Sequence, residues 1–304
     1  MSEAGAAAAV LLVSHGTVDD LEDLTAFVTN VRRGRPPPPE LVAELRRRYE
    51  AIGGRSPLNA VNARLAGKLA ASLGGGARVA WANRLWHPYT RDVLAGLGRD
   101  GVRRVAVVPL AQHSAHVYAD DARAAADALA GQGVALEVRC APGWGQHPRL
   151  LDAFAARIRR VLGDPARTTV ILTAHSLPRA VVDRGDPYER EVRASAAAVT
   201  ARLGAGVHTV VSFQSQGMSD TPGGWLGPDL ATVLDEARAR GDARVVAAAI
   251  GFLADHVETL YDLDVEAAAM ARERGLRWAR AASLDDDDDL VDVLADVARP
   301  LLLP

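Results

Sequence analysis

Residues 168–178 read TTVILTAHSLP. A run of β-branched and apolar residues, too short for a helix of ordinary length, ends in a small residue, a histidine and a second small residue. Pro178 then keeps any helix from running through the junction. A strand that is apolar on both faces belongs in a parallel sheet covered by helices on both sides. Residues 10–16, VLLVSHG, repeat the pattern: apolar strand, small residue, histidine, small residue. Two copies of one strand end predict a chain built in two halves.

Working outward, strand-like runs fall at 9–14, 77–82, 103–110, 134–139, 168–174, 207–213, 243–250 and 277–281. Helical stretches fall at 40–51, 60–73, 88–99, 117–130, 149–162, 188–203, 227–240 and 286–299. Such βα alternation predicts an α/β fold of two Rossmann-like domains, each a four-stranded parallel sheet flanked by helices. The break falls near APGWGQHP (141–148). The expected domains are 1–146 and 147–284, with the last helix, 285–304, packing back on the first. In open α/β sheets ligands bind beyond the carboxyl ends of the strands. His15, the QHSAH run (112–116), His175 and FLADH (252–256) all fall at such ends, so one cleft between the halves is expected to receive them.

A net charge of −3 and a pI near 6.2 argue against a nucleic-acid binder, which carries a basic stripe. One cysteine, Cys140, excludes an internal disulfide framework and an all-cysteine metal or iron–sulfur site within the chain. The opening residues lack the basic region of a signal peptide, and no run of about 18 apolar residues offers a membrane span. A cytoplasmic protein with no integral membrane segment is expected. The chain has no Walker loop, HExxH or GxSxG, and the glycines at 74–76 precede a strand instead of following one. The acids at 285–289 read as a cap on the last helix.

His87 and His208 read as structural, and His15, His113 and His116 taken singly are consistent with hydrogen bonding in turns. At the end of a very apolar strand, His175 is expected to be desolvated, which lowers its pKa and keeps it neutral. Residues 251–266, GFLADHVETLYDLDVE, carry acids at 255, 258, 262 and 266. The spacings three, four and four predict one face of a helix, with Leu260, Leu263 and Ala267 on the other. Acid runs usually mark solvated faces, and like charges at i,i+4 repel by about 0.2–0.5 kcal/mol per exposed pair. This run begins at a strand end, where sites form. Its acids can pass a hydrated divalent cation inward, and Glu258, the innermost, is expected to have a raised pKa and to exchange protons.

Together TAHSLP (173–178), GDPY (185–188), FQSQG (213–217), WLGPD (225–229) and residues 251–266 resemble the ferrochelatases, over nearly the whole chain. The segments VRRGR (31–35), RRYEAIGGRSPLN (47–59), NRLWHPY (83–89) and RDGVRRV (99–105) resemble the soluble branch that acts on coproporphyrin III. The resemblance implies a chelatase-like fold and a lyase of haem biosynthesis that inserts Fe²⁺ into a porphyrin. Coproporphyrin III is the expected substrate, with protoporphyrin IX the alternative. Fe²⁺ is a substrate, no organic cofactor is implied, and a monomer is expected. His175 and Glu258 match the family's metal-insertion residues, with His175 either proton acceptor or first metal ligand. Asp262 and Glu266 match its outer metal-handling acids, whose repulsion Fe²⁺ would relieve. Arg32, Arg48, Tyr49 and Ser56 match porphyrin contacts, the arginines suiting propionate carboxylates.

Two features depart from the family. His15 stands where other residue types are usual, as a candidate axial ligand to product haem. The 109–121 loop differs too, leaving Tyr118 as the candidate aromatic porphyrin contact. Both segments, through His15 and His116, resemble the sirohydrochlorin cobalto- and ferrochelatases, which form the second reading. A non-catalytic haem- or metal-binding protein is a third, and a plain α/β domain with solvated acids a fourth.

Overall fold

A computed structural model describes residues 8–74, 78–217 and 223–303. In chain order the elements are β1 (Ala8–Ser14), α1 (Leu24–Val31), α2 (Pro39–Ala51), α3 (Leu58–Ser72), β2 (Arg78–Asn83), α4 (Thr90–Arg99), β3 (Arg104–Pro109), α5 (Ala115–Ala130), β4 (Glu137–Cys140) and α6 (Pro148–Val161). They continue with β5 (Thr168–His175), α7 (Arg179–Asp183), α8 (Tyr188–Leu203), β6 (His208–Gln214), α9 (Leu230–Ala239), β7 (Arg244–Ala248), a π-helix (Glu258–Ala267), α10 (Ala268–Glu273), β8 (Arg277–Arg280) and α11 (Asp288–Leu302).

The strands form two four-stranded sheets, β2-β1-β3-β4 and β6-β5-β7-β8, with every pairing parallel. This is the expected α/β architecture. The first strand of each half is central and buried along almost its whole length, as its unbroken apolar run requires. The chain leaves it first to one side and then to the other. Right-handed crossovers therefore put α3 and α4 on opposite faces in the first sheet. α11 joins α3, and α5 joins α4. In the second sheet α6 packs with α8, while α9 packs with α10 and the π-helix continues into α10.

Two compact units result. The first holds residues 1–38, 57–144 and 285–304; the second holds 39–56 and 145–284. This differs from a simple cut near 146, because α2 and the turn after it group with the second unit. α11 groups with the first. The core of the first unit includes Leu11, Val13, Leu94, Leu97, Val107 and Leu129. That of the second includes Ile171, Leu234, Val245, Leu263, Ala267 and Leu276.

Some expectations shift on contact with the structure. The strand expected at 134–139 forms at Glu137–Cys140, and α9 starts at Leu230 after the WLGPD turn. α1, rich in Thr and Val, was not legible as a helix. The N-cap residue of α11, Asp287, makes no side-chain capping hydrogen bond, while Asp288 and Asp289 lie in its first turn and Asp286 pairs with Arg64 at 2.8 Å and Lys68 at 3.6 Å, tying the helix start to α3.

Candidate active site

Both sheets have a switch point where the chain reverses direction across the strands, between β1 and β3 and between β5 and β7. In the second unit β5 delivers His175 to that point. The turn after β7 then crosses the end of β5. Gly251 donates to Thr173 O at 3.0 Å. A Cβ on Gly251 would lie 2.5 Å from Ala174 Cβ, so the backbone can come this close only with glycine. The crossing brings Glu258, first residue of the π-helix, to His175: Nε2 to Oε1 is 3.5 Å. His256 approaches the other carboxylate oxygen, Nε2 to Oε2 3.4 Å. Gln214, at the end of β6, donates to Glu258 O at 3.4 Å.

His175 is held from both sides. Its Nδ1 meets the Ser176 carbonyl, and its own carbonyl accepts from the Tyr188 hydroxyl at 2.9 Å. With an acceptor at each ring nitrogen, the imidazolium is the favoured form. Burial by itself lowers the pKa. The charge and hydrogen bond of Glu258, with the Ser176 carbonyl, outweigh it and raise the pKa to about 9. This overturns the expectation of a neutral His175. That expectation counted desolvation and not the partner, which lies far away in sequence.

The expected raised pKa moves to a different acid. Burial pushes Glu258 up, but His175 and His256 outweigh it and hold the carboxylate well below its ordinary range. Asp262 is the more buried acid, with 5% of its side chain exposed against 35% for Glu258. Burial, aided by the charges of Glu258 and Glu266, raises its pKa to about 6 against the pull of Ser215 and Arg48.

The acid run is not one face of an α-helix. Glu258–Ala267 is wound as a π-helix, closing i→i+5 bonds. Asp255 precedes it and faces elsewhere, bonded to Arg280 at 2.8 and 3.2 Å and to Ser283 at 2.6 Å. Glu258, Asp262 and Glu266 remain as the stripe. Leu263 and Ala267 are fully buried behind it, and Leu260 is half-buried.

Arg48, expected to meet substrate propionates, is engaged within the protein. Its guanidinium contacts Glu44 at 2.8 Å, Asp262 at 3.1 Å and Glu266 at 3.9 Å. It lies 5.0 Å from the centre of the Tyr261 ring. An internal cation therefore already offsets the repulsion along the stripe. Ser215, in the left-handed region at φ 60°, bonds the other oxygen of Asp262. Tyr49 and Ser56 belong to the same unit and are buried. Among the described residues, no three His, Cys, Asp or Glu side chains are grouped so as to hold a metal ion.

The first unit brings His15 and Tyr118 together, with Tyr118 Oη 3.5 Å from His15 Nδ1. His15 is exposed just after β1. Gly16 follows at φ 106°, packed against Trp86 and Asn83, where only glycine fits without strain. The Arg84 guanidinium lies 5.9 Å from the Tyr118 ring and pairs with Asp121. His113 is buried, and burial lowers its pKa to about 4. His116 is exposed at the start of α5. Arg32 caps the end of α1, with its Nε buried and without a hydrogen-bond partner among the described residues.

Gln214, Ser215 and Arg280 were not singled out in the sequence as site residues, and His256 only as the end of FLADH. For Gln214 and Ser215 a signal existed, since FQSQG begins at the end of the strand expected at 207–213.

The ferrochelatase family profile matches residues 7–301. A ferrochelatase of Thermus thermophilus is 38% identical, covering 95% of this chain and 98% of its own. A coproporphyrin III ferrochelatase of Geobacillus kaustophilus is 31% identical, covering 95% and 94%. A solved structure of SirB from Bacillus subtilis with Fe³⁺ shares the fold, with a TM-score of 0.63 at 14% identity over 97% of this chain and 96% of that one. Among the described residues, no helix is long and apolar enough to cross a membrane. The chain belongs to the ferrochelatase family, whose members are metal-chelatase enzymes of the lyase class.

Proposed function

We propose that this enzyme inserts Fe²⁺ into coproporphyrin III, releasing the two pyrrole N–H protons, as a step of haem biosynthesis. The observation that carries the reading is the His175–Glu258 pair, 3.5 Å apart at a sheet switch point and followed by the acid stripe. Relatives named coproporphyrin III ferrochelatase, alignable over 95% of the chain, support the choice of porphyrin.

Metallation needs a base for the pyrrole protons and a route for a hydrated dication. Asp262 and Glu266 supply carboxylate oxygens, which suit Fe²⁺. A dication drawn to them disfavours the nearby imidazolium, so His175 loses its proton when iron arrives. That proton has a hydrogen-bonded exit through Glu258 to His256. Neutral His175 then accepts the two pyrrole protons in turn, passing the first on through Glu258 to His256 and solvent before Glu258 ligates the entering iron. Binding energy bends the macrocycle so that its nitrogen lone pairs become accessible.

The test is anaerobic incubation with Fe²⁺ and, separately, coproporphyrin III, protoporphyrin IX and sirohydrochlorin, followed by absorbance. Faster metallation of coproporphyrin III, lost in His175→Ala, supports the reading. Turnover only of sirohydrochlorin, lost in His15→Ala and retained in His175→Ala, moves the site to the first unit and overturns it.

A further inference from the structure

A π-helix ten residues long needs something to hold it. The i→i+5 pattern is rare and is mostly confined to single turns. The N-cap residue, Val257, makes no side-chain capping bond. Val265 is exposed and Leu260 only half-buried, so apolar packing grips just one side.

A further grip, beside those of Arg48 and Ser215 on Asp262, is Arg280, the last residue of β8. Its Nη1 and Nη2 donate to the two oxygens of Asp255, at 2.8 and 3.2 Å, and its Nε donates to Asp264 at 2.8 Å. One guanidinium thus binds the turn before the π-helix and a residue well inside it. Ser283 closes the clasp, donating to Asp255 at 2.6 Å and accepting from Arg280 at 3.4 Å. Leu284 donates to Leu253 O at 3.0 Å, fastening the same turn to the end of β8. The Arg280 side chain is 12% exposed, so water competes weakly for these bonds.

The geometry is sensitive to winding. An α-helix turns by about 100° per residue and a π-helix by less. Between Glu258 and Asp264 the two windings therefore send the Asp264 carboxylate in different directions. A planar guanidinium already fixed on Asp255 reaches Asp264 in only one of them, and a lysine ammonium lacks the fork to span both.

We propose that Arg280 is a positioning residue: by clasping Asp255 and Asp264 it holds the π-winding, and with it the register of Glu258, Asp262 and Glu266 towards the metal. The proposal rests on the reading that these acids serve metal insertion.

Two variants test it, Arg280→Lys and Asp264→Asn, the second at an exposed carboxylate. Hydrogen exchange is followed at 258–267 and at α8 as control, alongside coproporphyrin III affinity and the dependence of rate on Fe²⁺. Exchange at 258–267 is expected to rise tenfold or more with α8 unchanged, on the order of local loosening without global unfolding. The ratio kcat/KM for Fe²⁺ is expected to fall roughly 10- to 100-fold, as for lost outer-sphere support, while coproporphyrin III affinity holds. Unchanged exchange at 258–267 overturns the clasp. Equal loosening of α8, with iron and porphyrin parameters falling together, overturns the positioning role in favour of general stability. A wild type that metallates no porphyrin refutes the functional reading instead, and the exchange data still decide the clasp.

Discussion

Arg48 donates through Nη1 to Asp262 Oδ1 at 3.1 Å, so a residue of α2 supplies the counter-charge to the middle acid of the π-helix. The same guanidinium reaches Glu44 and Glu266, and the stripe carries less net repulsion than its sequence suggests.

Arg48→Met should therefore destabilise the protein by on the order of 2 kcal/mol at pH 7.5, the value of a hydrogen bond between charged groups. Asp262 already titrates near 6, above its ordinary value, because burial disfavours its charge. Without Arg48 that pKa rises further. Below pH 6 Asp262 is protonated in both proteins, so this part of the difference disappears. Urea unfolding at pH 7.5 and pH 5 should show the gap between wild type and variant narrowing on acidification. An equal gap at both values would detach Asp262 from Arg48.

Glu258→Gln removes the charge that holds His175 near 9. Burial is then opposed only by the Ser176 carbonyl and the charge of Asp262, and the pKa of His175 should fall well below 9. NMR titration of labelled histidine follows this directly. The linkage has a definite sign. A folded pKa raised above the unfolded value gives stability that is complete below about pH 6.5 and lost as pH rises through 9. Wild type should lose this contribution across that window and the variant should not. A His175 titration that stays near 9 in the variant would mean that Glu258 is not its partner.

Gly251→Ala places a methyl group 2.5 Å from Ala174 Cβ and 2.7 Å from its Cα. Overpacking of this kind typically destabilises by about 1–3 kcal/mol. The push falls on the residue before His175, so metallation should drop by more than the stability loss explains. Thermal unfolding and steady-state rates at a temperature where the variant is fully folded separate the two effects. Full activity in the folded variant would show that the crossing turn tolerates displacement.

Strand and helix order was readable because each central strand is buried on both faces and its apolar run is unbroken, as in VILTA and VLLVS. His175 stood out because it ends an apolar strand, and Glu258 because it belongs to a run of spaced acids that follows another. Their protonation was not legible, since it depends on a partner 83 residues away, counted from His175 to Glu258, that local burial arguments omit. Arg48 was legible as a basic residue, but its match to a substrate contact said nothing of Asp262, a partner contributed by another part of the chain. Asp255 looked like the head of the stripe because three-and-four spacing presumes α-winding. The clasp by Arg280 and the π-turns that follow are tertiary facts, without a periodic signature in GFLADHVETLYDLDVE.

The switch-point pair of His175 and Glu258 is proposed to drive metal insertion. The most direct measurement is the single-turnover rate of iron coproporphyrin III formation under anaerobic conditions, with wild type, His175→Ala, Glu258→Gln and His15→Ala at matched saturation. The account predicts that the first two substitutions each slow insertion by at least about 100-fold, the scale of lost proton transfer, while coproporphyrin III still binds and His15→Ala keeps most of the rate. Wild-type rates in His175→Ala and Glu258→Gln would contradict it.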